Sequence, residues 1–230
     1  MKLVLFDIDG TILHGGGAGK RAVTRALIDV FGSAGPSEHR FDGKTDPQIV
    51  RELMRHAGHE DPHIDAKMPE LLERYLQYLD EELRSPPFSR VLPGVGELLD
   101  ALETRRDVVL GLLTGNLAPG ARAKLTAVGI DPDRFRVGAY GSDHEMRGEL
   151  PAVAQLRARM HLGLDIPGSD VVVIGDTPND VMCGKAIGAR AIGVATGHYS
   201  VDDLLQYDPF AVFKDLADTP AVVRAIAGES

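Results

Sequence analysis

Four apolar runs of strand length, Leu3 to Phe6, Val108 to Leu113, Val171 to Ile174 and Ala191 to Val194, constrain this chain more than any other feature. Most lack the in-and-out alternation of a half-exposed sheet, as expected for parallel strands covered by helices on both faces. Helix-start signals follow them. Thr177-Pro178 and Thr219-Pro220 each pair an N-cap residue type with a proline at the first helical position. Ala118 to Val128 and Leu150 to Leu162 read as further helices. Strands alternating with helices give an α/β fold, a doubly wound parallel sheet of Rossmann-like form, in which sites assemble at the carboxyl ends of the strands.

The rhythm breaks between Gly15 and about Pro87. Ala18 to Phe31, Pro47 to Ala57 and Pro69 to Leu83 carry helical periodicity there, bounded by Gly15-Gly16-Gly17 and Pro86-Pro87. The expected division is a core of residues 1–14 and 88–230, with a helical cap domain of residues 15–87 inserted after the first strand. The whole has 230 residues, 43% of them hydrophobic, enough for a real core.

A net charge of −9 argues against nucleic acid or an anionic membrane surface as partner, since both are repelled at long range. An anionic small molecule would need a local device to hold it, such as a metal ion or placed cations. The single Cys183 excludes an internal disulfide, and Asp7 and Asp9 interrupt the N-terminal apolar run, so neither a secretory signal nor a membrane span is readable. A cytoplasmic location is expected.

The first strand runs straight into acids, in "LVLFDIDGT". Side chains alternate along a strand, so Asp7 and Asp9 share one direction while Ile8 points away. Asp-Gly is also a turn pair, and an acid-rich turn can begin a calcium loop, but Thr11, Ile12, Leu13 and His14 supply none of the further acids such a loop needs. A second strand ends at Gly175 and Asp176 in "VVVIGDTPNDV", with Asp180 in the following first helical turn, where Thr177 and Asp180 have capping-box spacing. A third ends at Thr114, Gly115 and Asn116, a hydroxyl and exposed amides that can cap a helix or cradle a phosphate. Two strands delivering carboxylates to one sheet edge call for a hard divalent cation, and magnesium suits few protein oxygens plus water and a phosphate.

With these motifs in this order, the sequence resembles the haloacid dehalogenase superfamily in its phosphatase branch, and more loosely the phosphoglycolate-phosphatase-like group. Asp7-Ile8-Asp9-Gly10-Thr11, Thr114 within "LLTGN", and Gly175 to Asp180 match three of the family's motifs. The remaining motif usually offers Lys; "GSDHEMRGELPAVA" offers Arg147 instead. Its planar fork can still hold phosphate and screen carboxylates.

The resemblance implies a magnesium-dependent phosphatase acting on a small phosphorylated metabolite. Asp7 would be the nucleophile, forming an aspartyl-phosphate, and Asp9 the acid and base. Asp7, the backbone carbonyl of Asp9, Asp176 and Asp180 would hold Mg2+. Thr114, Gly115, Asn116 and Arg147 would bind the phosphate, and Lys44, in the cap loop "RFDGKTDPQ" before a helix capped by Asp46-Pro47, would contact the leaving moiety. A phosphosugar mutase of the same superfamily and a non-catalytic phosphate-dependent module stay open as alternatives. Asp9 argues against a dehalogenase, and "HGGGAGKR" lacks both the first glycine and the hydroxyl of a nucleotide P-loop.

Overall fold

The computed structural model describes residues 1–229. Its strands are β1 (Lys2–Phe6), β2 (Leu13–His14), β3 (Arg90–Val91), β4 (Val108–Thr114), β5 (Val137–Tyr140), β6 (Val171–Gly175), β7 (Arg190–Val194) and β8 (Ala211–Phe213). The helices are α1 (Ala18–Phe31), α2 (Asp46–His56), α3 (Asp61–Leu83), α4 (Val95–Glu103), α5 (Ala118–Ala127), α6 (Leu150–Leu162), α7 (Pro178–Cys183), α8 (Val201–Leu205) and α9 (Thr219–Ala227).

Six strands form one sheet in the order β5-β4-β1-β6-β7-β8, every pair parallel. Both faces are covered, which explains the unbroken apolar runs. Val4, Phe6, Leu110, Leu112, Val172 and Ile174 pack with α4 and α9 on one face, while Leu3, Leu5, Val109, Val171 and Val173 pack with α6 on the other. Because β1 lies between β4 and β6, the strand order reverses around it, and a crevice opens at the carboxyl ends of these three strands. The register sets Phe6 opposite both Leu112 and Ile174. Asp7 is therefore the first residue beyond the strand, its amide donating to the Ile174 carbonyl at 2.9 Å.

Helices α1 to α3 bury a separate apolar cluster of Ala22, Leu27, Val50, Leu53, Ile64, Leu71 and Leu79. They sit over the crevice as a helical cap. Its two connections to the core run side by side, because β2 and β3 pair antiparallel with Leu13 opposite Val91.

Several local expectations shift. Helix α3 begins at Asp61 rather than Pro69, which lies inside it. Ile64, Leu71, Tyr75 and Leu79 fall on one stripe and are all buried; their packing outweighs the roughly 3 kcal/mol that an internal proline costs. Helix α2 starts at Asp46, with Thr45 as N-cap accepting from the Gln48 amide at 3.2 Å. Asp46 is thereby released for another contact. At α9 the cap is Asp218, which accepts from the Ala221 amide at 3.1 Å, one residue earlier than Thr219; Asp caps at least as well as Thr, and proline is tolerated within the first turn. The short β5 and β8 and the helix α4 add to the strands and helices read from sequence.

The return from cap to core turns at Gly94, with φ of 77°. A β-carbon there would lie 2.1 Å from the Leu216 carbonyl carbon. Gly94→Ala is expected to destabilise the protein by about 2 kcal/mol or more through backbone strain and this clash. Denaturant midpoints measure it; an unchanged midpoint contradicts it.

Candidate active site

The crevice and the cap enclose a cleft of about 760 Å³. Asp7, Asp9, Thr114, Gly115, Asn116, Arg147, Asp176 and Lys44 all line it. Asp180 lies behind that wall, only 1% exposed.

Each side chain is placed by a local cause. Asp7 and Asp9 follow β1, and Gly10 turns the chain at φ 83° so tightly that a β-carbon would lie 2.2 Å from Asp176 Oδ2. Thr114 ends β4, and Asp176 follows β6. Asp180 is drawn back over the start of α7 by a complete capping box: Thr177 Oγ1 accepts from its amide, while Asp180 Oδ2 accepts from the Thr177 amide at 3.0 Å and hydroxyl at 2.6 Å. The capping account of Asp180 is thus correct, and it leaves Oδ1 facing Arg147.

Arg147 is 6% exposed, not a loop residue in solvent. Its guanidinium pairs with Asp180 and, at 3.1 Å, with Asp7 Oδ1, and also donates to the Leu113 carbonyl at 3.3 Å. Its Nε has no partner among the described residues. Burial disfavours the charge, but Asp180 and Asp7 more than offset this and hold the guanidinium protonated.

Asp7, Asp176 and Asp180 bring one carboxylate oxygen each within 4.8 Å of one another. Three buried acids against one guanidinium leave an excess of two negative charges. Burial first, then Arg147 opposing and Asp180 and Asp9 assisting, pushes the Asp7 carboxyl up to about 6. Burial, Asp180 and Asp7 raise Asp176 well above the usual carboxylate range. Such a cluster is relieved by protons or by a divalent cation, and its all-oxygen donors fit a hard one. These residues therefore fit a divalent metal site.

Asp9 is turned away from that cluster. Its Oδ2 accepts from Lys124 Nζ at 2.6 Å and Asn116 Nδ2 at 2.8 Å. Burial pushes its carboxyl up, but Lys124, Asn116 and Arg147 outweigh this and hold it below the usual range. Lys124 was not readable as a site residue from motifs. Its signal lay in the stripe of Leu117, Ala121, Lys124 and Leu125, an apolar helix face with a lysine in it, all four buried.

The cap loop is joined to the core through both backbone and side chains. The Asp46 amide donates to the Gly115 carbonyl at 2.8 Å, and Asp46 Oδ2 accepts from the Leu117 amide at 2.9 Å. Asn179 Nδ2 donates to the Gly43 carbonyl at 3.1 Å. Gly115 is required here, since a β-carbon would lie 1.9 Å from the Lys44 carbonyl oxygen. Lys44 itself donates to Glu52 at 2.5 Å, so its charge is already compensated. Lys20 lines the same cleft without a carboxylate partner among the described residues, its ammonium donating to the Ser37 carbonyl at 3.2 Å.

A family model of haloacid dehalogenase-like hydrolases matches residues 1–188. The phosphoglycolate phosphatase of Rhodospirillum rubrum is 29% identical over 222 residues, covering 94% of this chain and 88% of that protein. That of Yersinia pestis is 28% identical over 226 residues, covering 95% and 92%. A hydrolase from Pseudomonas syringae of known crystal structure superposes with a TM-score of 0.74 at 23% identity, each chain covered completely. No helix among the described residues is long and apolar enough to cross a membrane.

Asp46 provides a test of these electrostatics away from the metal-fitting cluster. Burial, against the opposing charge of Lys124, raises its carboxyl from 3.8 to about 6. The folded state then binds more protons than the unfolded one between about pH 4 and 6, so this contribution to stability is present below the unfolded value and lost as pH rises through the folded one. Relative to Asp46→Asn, the wild type is expected to lose on the order of 2 kcal/mol between pH 4 and pH 7, less than the full shift implies because the residue is partly exposed. Denaturant midpoints of both proteins across that range measure it, and parallel profiles contradict it.

Proposed function

Because the chain belongs to the haloacid dehalogenase-like hydrolases and is a phosphoric monoester hydrolase, we propose that it hydrolyses a small phosphorylated metabolite, phosphoglycolate-like in size and charge, through an aspartyl-phosphate on Asp7. The observation that carries this reading is the pair Asp7 and Asp9, set on one cleft with Arg147 and Thr114 but given opposite electrostatic surroundings. Asp7 stands with the metal-fitting acids, where a bound cation would keep it ionised for attack, while Asp9 stands apart with Lys124, where an arriving phosphate dianion would draw its carboxyl up toward the protonated form.

Asp7 attacks phosphorus in line, and the bond from phosphorus to the ester oxygen breaks. Asp9 gives its proton to that leaving oxygen. It then takes a proton from the water that attacks the phosphoryl group, and the bond between phosphorus and Asp7 breaks to release inorganic phosphate. Arg147, which lines the cleft beside Asp7, supports the charge that develops on the transferring oxygens. Thr114 and the amides of Gly115 and Asn116 complete the cradle. Asp7, Asp176, Asp180 and the Asp9 carbonyl would hold a divalent cation, with magnesium suited to these oxygens, and when bound it offsets the repulsion between Asp7 and the phosphate dianion.

Residues 15–87 act as the cap domain over a core of residues 1–14 and 88–230. The cap supplies what the core motifs lack, recognition of the leaving moiety. Lys44, held by Glu52, Arg40, held by Asp42, and Lys20 are cap cations that line the cleft. The phosphoglycolate phosphatases among the relatives support a small carboxylated leaving group.

A phosphate-release screen over small phosphomonoesters with magnesium tests the reading. Asp7→Asn is expected to reduce turnover at least a thousandfold while circular dichroism and thermal midpoint stay close to wild type. Full activity in that variant, or phosphate retained on a sugar product with none released, contradicts it. Arg147→Ala is expected to cost roughly 3 kcal/mol in kcat/KM, near a hundredfold, and Arg147→Lys to recover only part, since an ammonium keeps the charge but loses the fork. Wild-type kcat/KM in Arg147→Ala would make the arginine a structural counter-ion only.

A further inference from the structure

Lys124 is 4% exposed, carried on α5 where that helix meets the cap. Its ammonium lies against the start of α1, where a β-carbon at Gly19 would stand 3.4 Å from Nζ. Nζ donates to Asp9 Oδ2 and to Asn116 Oδ1, both at 2.6 Å. Asn116 Nδ2 donates in turn to the same Asp9 oxygen at 2.8 Å and to Thr114 Oγ1 at 2.8 Å. Asp9 Oδ2 is thus gripped by two donors that are bonded to each other, and one of them is tied to the end of β4. Asp9 Oδ1 has no hydrogen-bond partner among the described residues, and the side chain is 43% exposed on the cleft side.

A carboxylate that open would be free to change rotamer. Proton transfer demands an oxygen within about 2.6–3.2 Å of the reacting atom, and a displacement of about 1 Å can cost a factor of about a hundred. We infer that Lys124 is a positioning residue for the reaction: with Asn116 it clamps Asp9 Oδ2, so that Oδ1 is the oxygen presented to the leaving group. The inference rests on the reading of Asp9 as proton donor and acceptor. Because both clamp residues belong to the core and not the cap, the clamp acts on the reaction and not on the identity of the leaving moiety.

The distinguishing readout is how the rate depends on the leaving group. Nitrophenolate departs without a proton, whereas phenolate and an alkoxide need one, so a misplaced Asp9 slows only the last two. Wild type, Asp9→Asn, Lys124→Met and the double variant are compared on nitrophenyl, phenyl and alkyl phosphates at saturating magnesium. Lys124→Met keeps the apolar stem, and ratios between substrates do not depend on the fraction of folded enzyme.

The expected result is a loss of about thirtyfold or more in kcat for the alkyl phosphate with less than about threefold for the nitrophenyl ester, and little change in KM. In the Asp9→Asn background, Lys124→Met should add no further leaving-group dependence. Equal losses on all esters in Lys124→Met, or a rise confined to KM for substrates with an anionic leaving moiety, would overturn the inference and make Lys124 a structural or substrate-binding lysine. If Asp9→Asn itself shows no steeper leaving-group dependence than wild type, it is the role of Asp9 that fails instead.

Discussion

Repulsion among carboxylates packed at the ends of β1 and β6 is the constraint on which the rest of this structure depends. Parallel strands of one sheet deliver their terminal side chains to a common edge, so Asp7, Asp176 and Asp180 converge because of the fold. Nothing in an apolar α/β core tolerates three such charges unaided. Arg147 supplies one positive charge at their centre, bought with its own near-complete burial. The uncompensated remainder raises Asp7 and Asp176 and makes the cluster fit a divalent cation. On the proposed mechanism, a cation drawn by this surplus would screen Asp7 for its attack on a phosphate.

Asp9 escapes this cluster by two residues. The strand end and the turn at Gly10 place it on the cap side of the cleft, where Lys124 and Asn116 receive it. The two acids of one short motif consequently live in opposed fields, one raised and one lowered. The cap then closes the space above them through hydrogen bonds at Gly43, Asp46 and Gly115. On the proposed function, side chains such as Lys20 and Lys44 that line the enclosed volume would read the leaving moiety.

How much of this was legible in the chain depends on range. The parallel sheet could be read because its strands are buried on both faces and so lose their alternation, and the edge shared by Asp7, Asp9, Thr114 and Asp176 followed from strand ends alone. Strand β5 could not be read in this way: Val137-Gly-Ala-Tyr140 is a short edge strand with a glycine, and its neighbour β4 decides its conformation. Pro69 was misleading because proline is a local signal, while the stripe from Ile64 to Leu79 that overrides it is satisfied by packing against α1, α2 and α5. Asp46 looked like a helix cap because that is its commonest local use; its bond to the Leu117 amide joins residues far apart in sequence. Lys124 belongs to no motif, yet its place on a buried helix stripe was visible, and its partners were not.

The central claim is that Asp7 becomes covalently bonded to phosphorus during turnover. Its most direct test is a single turnover in water enriched in the heavy oxygen isotope, with enzyme in excess over substrate, followed by mass spectrometry of the peptide containing Asp7. Turnover by the proposed route splits the aspartyl-phosphate by attack of water on phosphorus, so the heavy oxygen should appear in the released phosphate and be absent from the Asp7 carboxylate. An acid quench in mid-turnover should recover the phosphoryl group on that same peptide. Heavy oxygen in the phosphate with no phosphorylated Asp7 peptide at any quench time, in an enzyme slowed by Asp9→Asn, would contradict the account and point to direct attack by water.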